Sequence, residues 1–190
     1  MIKWLHAHGA DLNMFDSQGG FPLLEASQMY ETRMGALRAL LEAGATVNRA
    51  SHRGLTPLLG AATSGTAEKV KLLLAAGADP RMCNLQGHSA MHCAVARDDL
   101  AVIRVLLDRG LHPDYCGAAS DGTTALGFCV SVKAVQLLLG AGADVQKLSK
   151  CGMNCLHRGA LEGAPVSVLC AMVAAGADPT LVSTLLRMSS

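Results

Sequence analysis

The chain has 190 residues, 51% hydrophobic but only 3% aromatic, and a formal net charge of +1. Both signs of charge are scattered along it, which argues against a nucleic-acid-binding surface and against a surface for acidic partners. Seven cysteines, an odd number at irregular spacing, argue against a disulfide framework and for an intracellular, reducing compartment, cytoplasm or nucleus.

The longest uncharged apolar run, Ala164 to Ala177, contains Pro165 and Gly176 and is too short to span a bilayer. Residues 1–15 carry no secretory signal, because Lys3 and Trp4 lead straight into Gly9-Ala10-Asp11. The expectation is a soluble protein with no membrane span.

In chain order, Ile2, Trp4 and Leu5 form the apolar side of a helix that closes at Gly9, with no helix before it to pair with. Phe21-Pro22-Leu23-Leu24 then opens a first helix, and Gln28 to Arg33 forms a long turn before a second. The most regular stretch follows. Thr56 stands where a hydroxyl caps a helix, and Pro57 stands at the first helical position, where a missing N–H costs nothing. Leu58, Ala61 and Ala62 give that helix a narrow face, and Gly65 ends it. Val70, Leu73 and Leu74 form the stripe of a second helix, closed by Gly77. Helix-closing glycines recur at Gly9, Gly44, Gly77, Gly110, Gly142 and Gly176, in steps of 35, 33, 33, 32 and 34 residues.

A turn plus two helices at this period, with Thr-Pro-Leu, Leu-Leu and Gly-Ala-Asp recurring in fixed order, resembles the ankyrin repeat. The resemblance covers almost the whole chain. It implies an all-α solenoid of stacked helix-turn-helix repeats with projecting β-hairpin loops, forming a single domain over 1–190. A half-repeat occupies 1–14 and five repeats occupy about 15–48, 49–82, 83–115, 116–147 and 148–180, with an irregular tail at 181–190.

Departures from the pattern are informative. Phe21 stands where the family has its capping threonine. In the third repeat Asp98-Asp99 replaces the turn glycine, and Gly110-Leu111-His112 departs from Gly-Ala-Asp. In the fourth, Cys116 to Asp121 lengthens the preceding hairpin while the turn between its helices shrinks almost to Ser131. In the fifth, Cys155 stands in the proline position and Pro165 restarts the second helix.

Cys151, Cys155 and His157 have spacings that could mimic metal ligands, but no second pair of matching spacing exists. The resemblance gives His92 and His157 another role, since the family's histidine hydrogen-bonds between neighbouring repeats. His6 and His8 are expected to face solvent. No nucleophile–base frame or phosphate loop emerges, so no catalysis, cofactor or metal is expected.

What remains is surface. The hairpins and first helices of such a stack line a concave groove, and the residues falling there are Phe15, Gln18, His52, Arg53, Leu55, Thr63, Leu85, Gln86, His88, Arg97, Ser120, Asp121, Thr123, Lys150, Cys151 and Met153. Leu55, Leu85 and Met153 are the apolar anchors expected of an interface. A second patch is Met29 with Tyr30. The end surfaces, carrying Trp4 at one end and Leu181, Leu185 and Leu186 at the other, are expected to be apolar. The implied function is non-catalytic protein–protein binding as a scaffold, adaptor or peripheral subunit, with the ragged ends pointing to an assembly or a longer polypeptide. Two alternatives stand beside it: hydroxylation of the hairpin asparagines Asn13 and Asn48 by an asparaginyl hydroxylase, and recruitment of clients to a ubiquitin ligase or another enzyme complex.

Overall fold

The computed structural model describes residues 8–28, 34–64, 66–117 and 120–180. Among them are nine α-helices, one 3-10 turn and no strand. The helices are α1 (Pro22–Gln28), α2 (Met34–Glu42), α3 (Pro57–Ser64), α4 (Ala67–Ala75), α5 (Ala90–Ala96), α6 (Leu100–Asp108), α7 (Val132–Gly140), α8 (Cys155–Leu161) and α9 (Val166–Ala174), with the 3-10 turn at Ala125–Phe128. The expected projecting hairpins are thus tight turns whose flanks do not extend into strands. The chain divides into two compact units, 1–85 and 86–190.

In the first unit α1 packs on α2 and on α3, and α4 packs on α3 and on α2. Like thus lies on like. The α3 face is made of Pro57, Leu58, Leu59, Gly60, Ala61 and Ala62, all buried. The small residues let α1 approach closely: a methyl added at Gly60 would come within 2.7 Å of Ser27 Oγ. Thr56 caps α3 as its position requires, its Oγ1 accepting from the Leu59 N–H at 3.3 Å. At the start of α1 no such bond is available to Phe21. Its ring is buried instead and meets Phe15 edge-on at 5.9 Å.

Val70 and Leu73 of α4 are fully buried and Leu74 nearly so. Lys69 is also buried, its Nζ donating to the Ala26 carbonyl at 3.0 Å. The helix closes through a paired motif in which Gly77 N–H reaches Leu74 O at 3.2 Å and Ala78 N–H reaches Leu73 O at 3.0 Å. Only a left-handed residue between them makes this geometry, and Gly77 supplies it at φ 90°.

In the second unit α5 packs on α6 and on the 3-10 turn, which packs in turn on α8, while α7 packs on α6 and on α9. The fourth repeat departs most from its fellows. Between Thr124 and Ser131, its N-cap and that of the next helix, only six residues are available, and they form a single 3-10 turn in place of an α-helix. Ser131 Oγ then caps α7 by accepting from Ala134 N–H at 3.2 Å. The missing turn glycine after α5 is replaced by Asp98, which takes the left-handed conformation at φ 56°. Aspartate is one of the few side chains that tolerates it, and here its carboxylate also accepts from the Ser131 hydroxyl.

Two substitutions check these contributions by urea unfolding followed by circular dichroism. Thr56→Val is expected to cost about 1 kcal/mol by removing a cap. Leu73→Ala is expected to cost roughly 2–5 kcal/mol by opening a cavity in a site with no exposed surface.

Candidate protein-binding surface

The loop tips of the first unit are built by a short polar side chain folded back on its own backbone. Asp16 Oδ1 accepts from the N–H groups of Gln18 and Gly20, both at 2.8 Å. Ser51 Oγ does the same for Arg53 at 3.3 Å and Leu55 at 3.1 Å. Successive tips stack tightly: a methyl on Gly54 would stand 2.8 Å from the Leu85 backbone nitrogen. These bonds hold the intervening side chains outward, so Gln18, His52 and Arg53 are exposed. Sequence reasoning placed the tips but missed Asp16 and Ser51, which organise them.

Beside the tips runs a cleft of about 260 Å³, lined by Gln18, Gly19, Gly20, Leu24, Glu25, Gln28, Ser51, Arg53 and Leu55. Three of the residues expected at a binding surface, Gln18, Arg53 and Leu55, therefore meet at one place. Leu55 is half-buried there, whereas Leu85 is 71% exposed. Phe15 joins a separate patch: its ring lies 5.1 Å from that of His52 and under the Arg49 guanidinium at 4.1 Å. Thr63 is exposed but donates its hydroxyl to Leu59 O at 2.8 Å.

In the second unit Gln86, Arg97, Asp121 and Lys150 are exposed, and His88, Cys151 and Met153 are half-buried. Two expected surface residues are not surface at all. Ser120 is 4% and Thr123 9% exposed, because the Ser120 hydroxyl turns inward to accept from Gly122 N–H at 3.0 Å and the Gly87 backbone closes over it. Lys150 reaches back to the same segment, its Nζ donating to Ser120 O at 2.8 Å. Met29, Tyr30, Trp4, Leu181, Leu185 and Leu186 lie outside the described residues, as do His6 and Gly65.

A ring cluster underlies this surface. The His88 and His92 rings stack at 5.4 Å, both meet Phe128 edge-on at 5.2 and 5.6 Å, and the Arg158 guanidinium lies over Phe128 at 4.6 Å. Arg158 Nε is 3.1 Å from Glu162 Oε1, a charge contact rather than a directed hydrogen bond. His92 is buried, with Nε2 3.0 Å from Thr123 O and Nδ1 3.0 Å from Ser89 Oγ. A carbonyl can only accept, so Nε2 carries the proton and Nδ1 accepts. The histidine thus ties its own repeat to the next, as the resemblance implied. Burial pushes its pKa down from the ordinary 6.5 to about 4.

The residues with metal-like spacing face different partners. Cys151 Sγ meets Ser149 Oγ at 3.2 Å, Cys155 Sγ reaches Val145 O at 3.5 Å, and His157 Nδ1 lies 2.7 Å from Asn154 Oδ1. Burial pushes the Cys155 thiol up to about 11 and Cys129 to about 12, which leaves both protonated and unreactive at neutral pH. No group of three His, Cys, Asp or Glu able to hold a metal occurs among the described residues. The asparagines raised as hydroxylation positions hold the backbone of the following repeat. Asn13 Oδ1 accepts from Thr46 N–H at 2.9 Å, and Asn48 accepts from Asp79 N–H at 2.9 Å while donating to Gly77 O at 3.1 Å.

These features, paired helices with polar clamps between repeats and loop tips held outward, define an ankyrin-type interaction module. The family model for ankyrin repeats in three copies matches residues 1–82, 32–116 and 58–149. The chain belongs to the ankyrin repeat family. Among solved structures it is similar to the ankyrin repeat domain of Bcl-3, a member of the IkappaB protein family, with a TM-score of 0.78 and 26% identity, covering 97% of this chain and 82% of that one. It is 32% identical over 154 residues to protein PhlB of Serratia liquefaciens, covering 78% of this chain and 65% of that protein. It is 36% identical over 119 residues to a probable E3 ubiquitin-protein ligase, XBOS34, of Oryza sativa subsp. japonica, covering 61% and 22%. The chain therefore spans less than two thirds of either curated relative. Ankyrin repeats are non-enzymatic modules that bind other proteins. No helix among the described residues is long and apolar enough to cross a membrane.

His92 makes stability depend on pH. Its folded pKa lies below its unfolded value, so the unfolded chain binds the extra proton between about pH 6.5 and 4. The stabilisation from its neutral form is complete above that window and declines as pH falls through it. Thermal unfolding from pH 7.5 to 4.5 is expected to show this decline, and His92→Gln is expected to flatten it.

Proposed function

We propose that this chain is a scaffold, adaptor or peripheral subunit that captures a partner protein on the loop-tip face of its first unit. The observation that carries the reading is the convergence of Gln18, Arg53 and Leu55 on one cleft beside the 71% exposed Leu85. A solvent-facing leucine next to an arginine and a half-buried leucine is the composition of an interface centre, with Gln18 and Glu25 as its polar rim. The rigidity of the tips supports it as well, since a loop backbone held by Asp16 and Ser51 loses little freedom on binding. In the second unit His88, Asp121, Lys150 and Met153 are the candidates for the same role.

A second reading is recruitment of clients to a ubiquitin ligase. Its support is the likeness to the rice protein named a probable E3 ubiquitin-protein ligase. A ligase found among the proteins that co-purify with this chain would favour it.

The test is affinity purification with quantitative mass spectrometry, comparing the natural chain with Leu55→Asp combined with Leu85→Asp. The double variant is expected to keep its helical circular dichroism and to lose at least about tenfold in recovery of its partners, the loss expected when an interface centre is charged. Undiminished recovery by the folded variant would move the site to another face.

A further inference from the structure

The cleft at the loop tips of the first unit carries both signs of charge around an apolar floor. Leu24 is buried there and Leu55 half-buried. The Glu25 carboxylate comes from α1 and the Arg53 guanidinium from the following tip, and Gln18 and Gln28 add a carboxamide each. Among the described residues, no hydrogen bond or ion pair within the chain engages the side chains of Gln18, Glu25, Gln28 or Arg53. In the second unit, side chains of the same kinds are engaged inside the fold. Lys150 donates to Ser120 O, Gln146 donates to Gly176 O, and Arg158 stands against Glu162. The volume of about 260 Å³ lies below the roughly 300–1,000 Å³ of small-molecule sites, which suits the side chains of a partner protein rather than a free metabolite.

We propose that the cleft takes an extended segment of the partner in which an aliphatic side chain lies between a basic residue and an acidic one. This deepens the reading of the cleft as the binding site and rests on it. The aliphatic side chain meets Leu24 and Leu55, the base meets Glu25, and the acid meets Arg53. Glu25 is half-buried, so a cation beside it is attracted through a medium of lower dielectric than bulk water. Arg53 presents a planar fork that matches a carboxylate. A segment with two bases would set one against Arg53, and a segment with two acids would set one against Glu25, so the pair of charges discriminates as well as attracts. The two carboxamides bear on the backbone. A glutamine amide donates and accepts at once, which matches the N–H and C=O groups of an extended chain, whereas a helix has already paired its own.

Selection of random peptides displayed on phage against the 190-residue chain, with the enriched peptides then synthesised and measured by fluorescence anisotropy, tests this. The natural chain is expected to enrich peptides in which an aliphatic residue lies between a base and an acid. Glu25→Lys is expected to enrich acids on both sides of the aliphatic residue, and Arg53→Glu bases on both. Each variant is expected to keep its helical circular dichroism and to bind the natural chain's peptides at least about tenfold more weakly. Enriched peptides without the charge pair, no enrichment at all, or binding unchanged in both charge variants would overturn the proposal. Peptides indifferent to the charge variants but lost by Leu55→Asp with Leu85→Asp would overturn the charge reading and leave the cleft as the site. Peptides that this double variant also binds undiminished would remove the loop-tip site along with it.

Discussion

Within each unit, helix pairs carry apolar flanks that their own residues cannot cover, and neighbouring pairs pack against them. Leu23, Leu37, Leu59 and Leu73 in the first unit, and Met91, Ile103, Leu106 and Leu138 in the second, are buried in this way. Each such side chain contributes about 1.5–3 kcal/mol relative to exposure. No single pair could offset the entropy of its own ordering, so stability is shared between neighbours. The polar contacts obey the same constraint. Asn48 holds the backbone at Gly77 and Asp79, His92 holds Thr123, Asp114 accepts from Asp144 N–H, and Asn154 donates to Asp178 O. Each sets the register of one repeat on the next, and those at His92, Asp114 and Asn154 also satisfy buried side chains.

This arrangement separates stability from recognition. The residues that hold the pairs together lie on helix flanks, at loop bases and in the stacked tip backbones, while the tip side chains Gln18, His52 and Arg53 are exposed. Asp16 and Ser51 make the tips stiff without drawing on the side chains at positions 18, 52 and 53, which remain outward. A surface of this kind can vary in chemistry while the frame stays unchanged, which is why the fold defines an interaction module and leaves the identity of its partner to the tips.

Most of the frame was legible in the primary structure because the elements are short and their ends are chemically marked. Thr56, Pro57 and Gly77 each act within a few residues of themselves, so their roles follow from local geometry. Legibility failed where a residue's environment is made by another repeat. Ser120 and Thr123 read as loop-tip residues by spacing, yet the Gly87 backbone closes over Ser120 and both are buried. Lys69 is a cation next to Val70 in the chain, and its ammonium lies inside, on a carbonyl 43 residues earlier. The shortened turn before Ser131 was visible, but its consequence, a 3-10 turn where a helix was expected, depends on how little chain the spacing leaves between two caps.

By itself the sequence determined the all-α class, the period, the caps and the glycine closures, because these depend on contacts a few residues apart. Only the tertiary structure decided which loop residues face solvent and that Gln18, Arg53 and Leu55 share one cleft. Those properties arise from neighbours about one repeat away. A side chain's own chemistry carries no record of which neighbour will cover it.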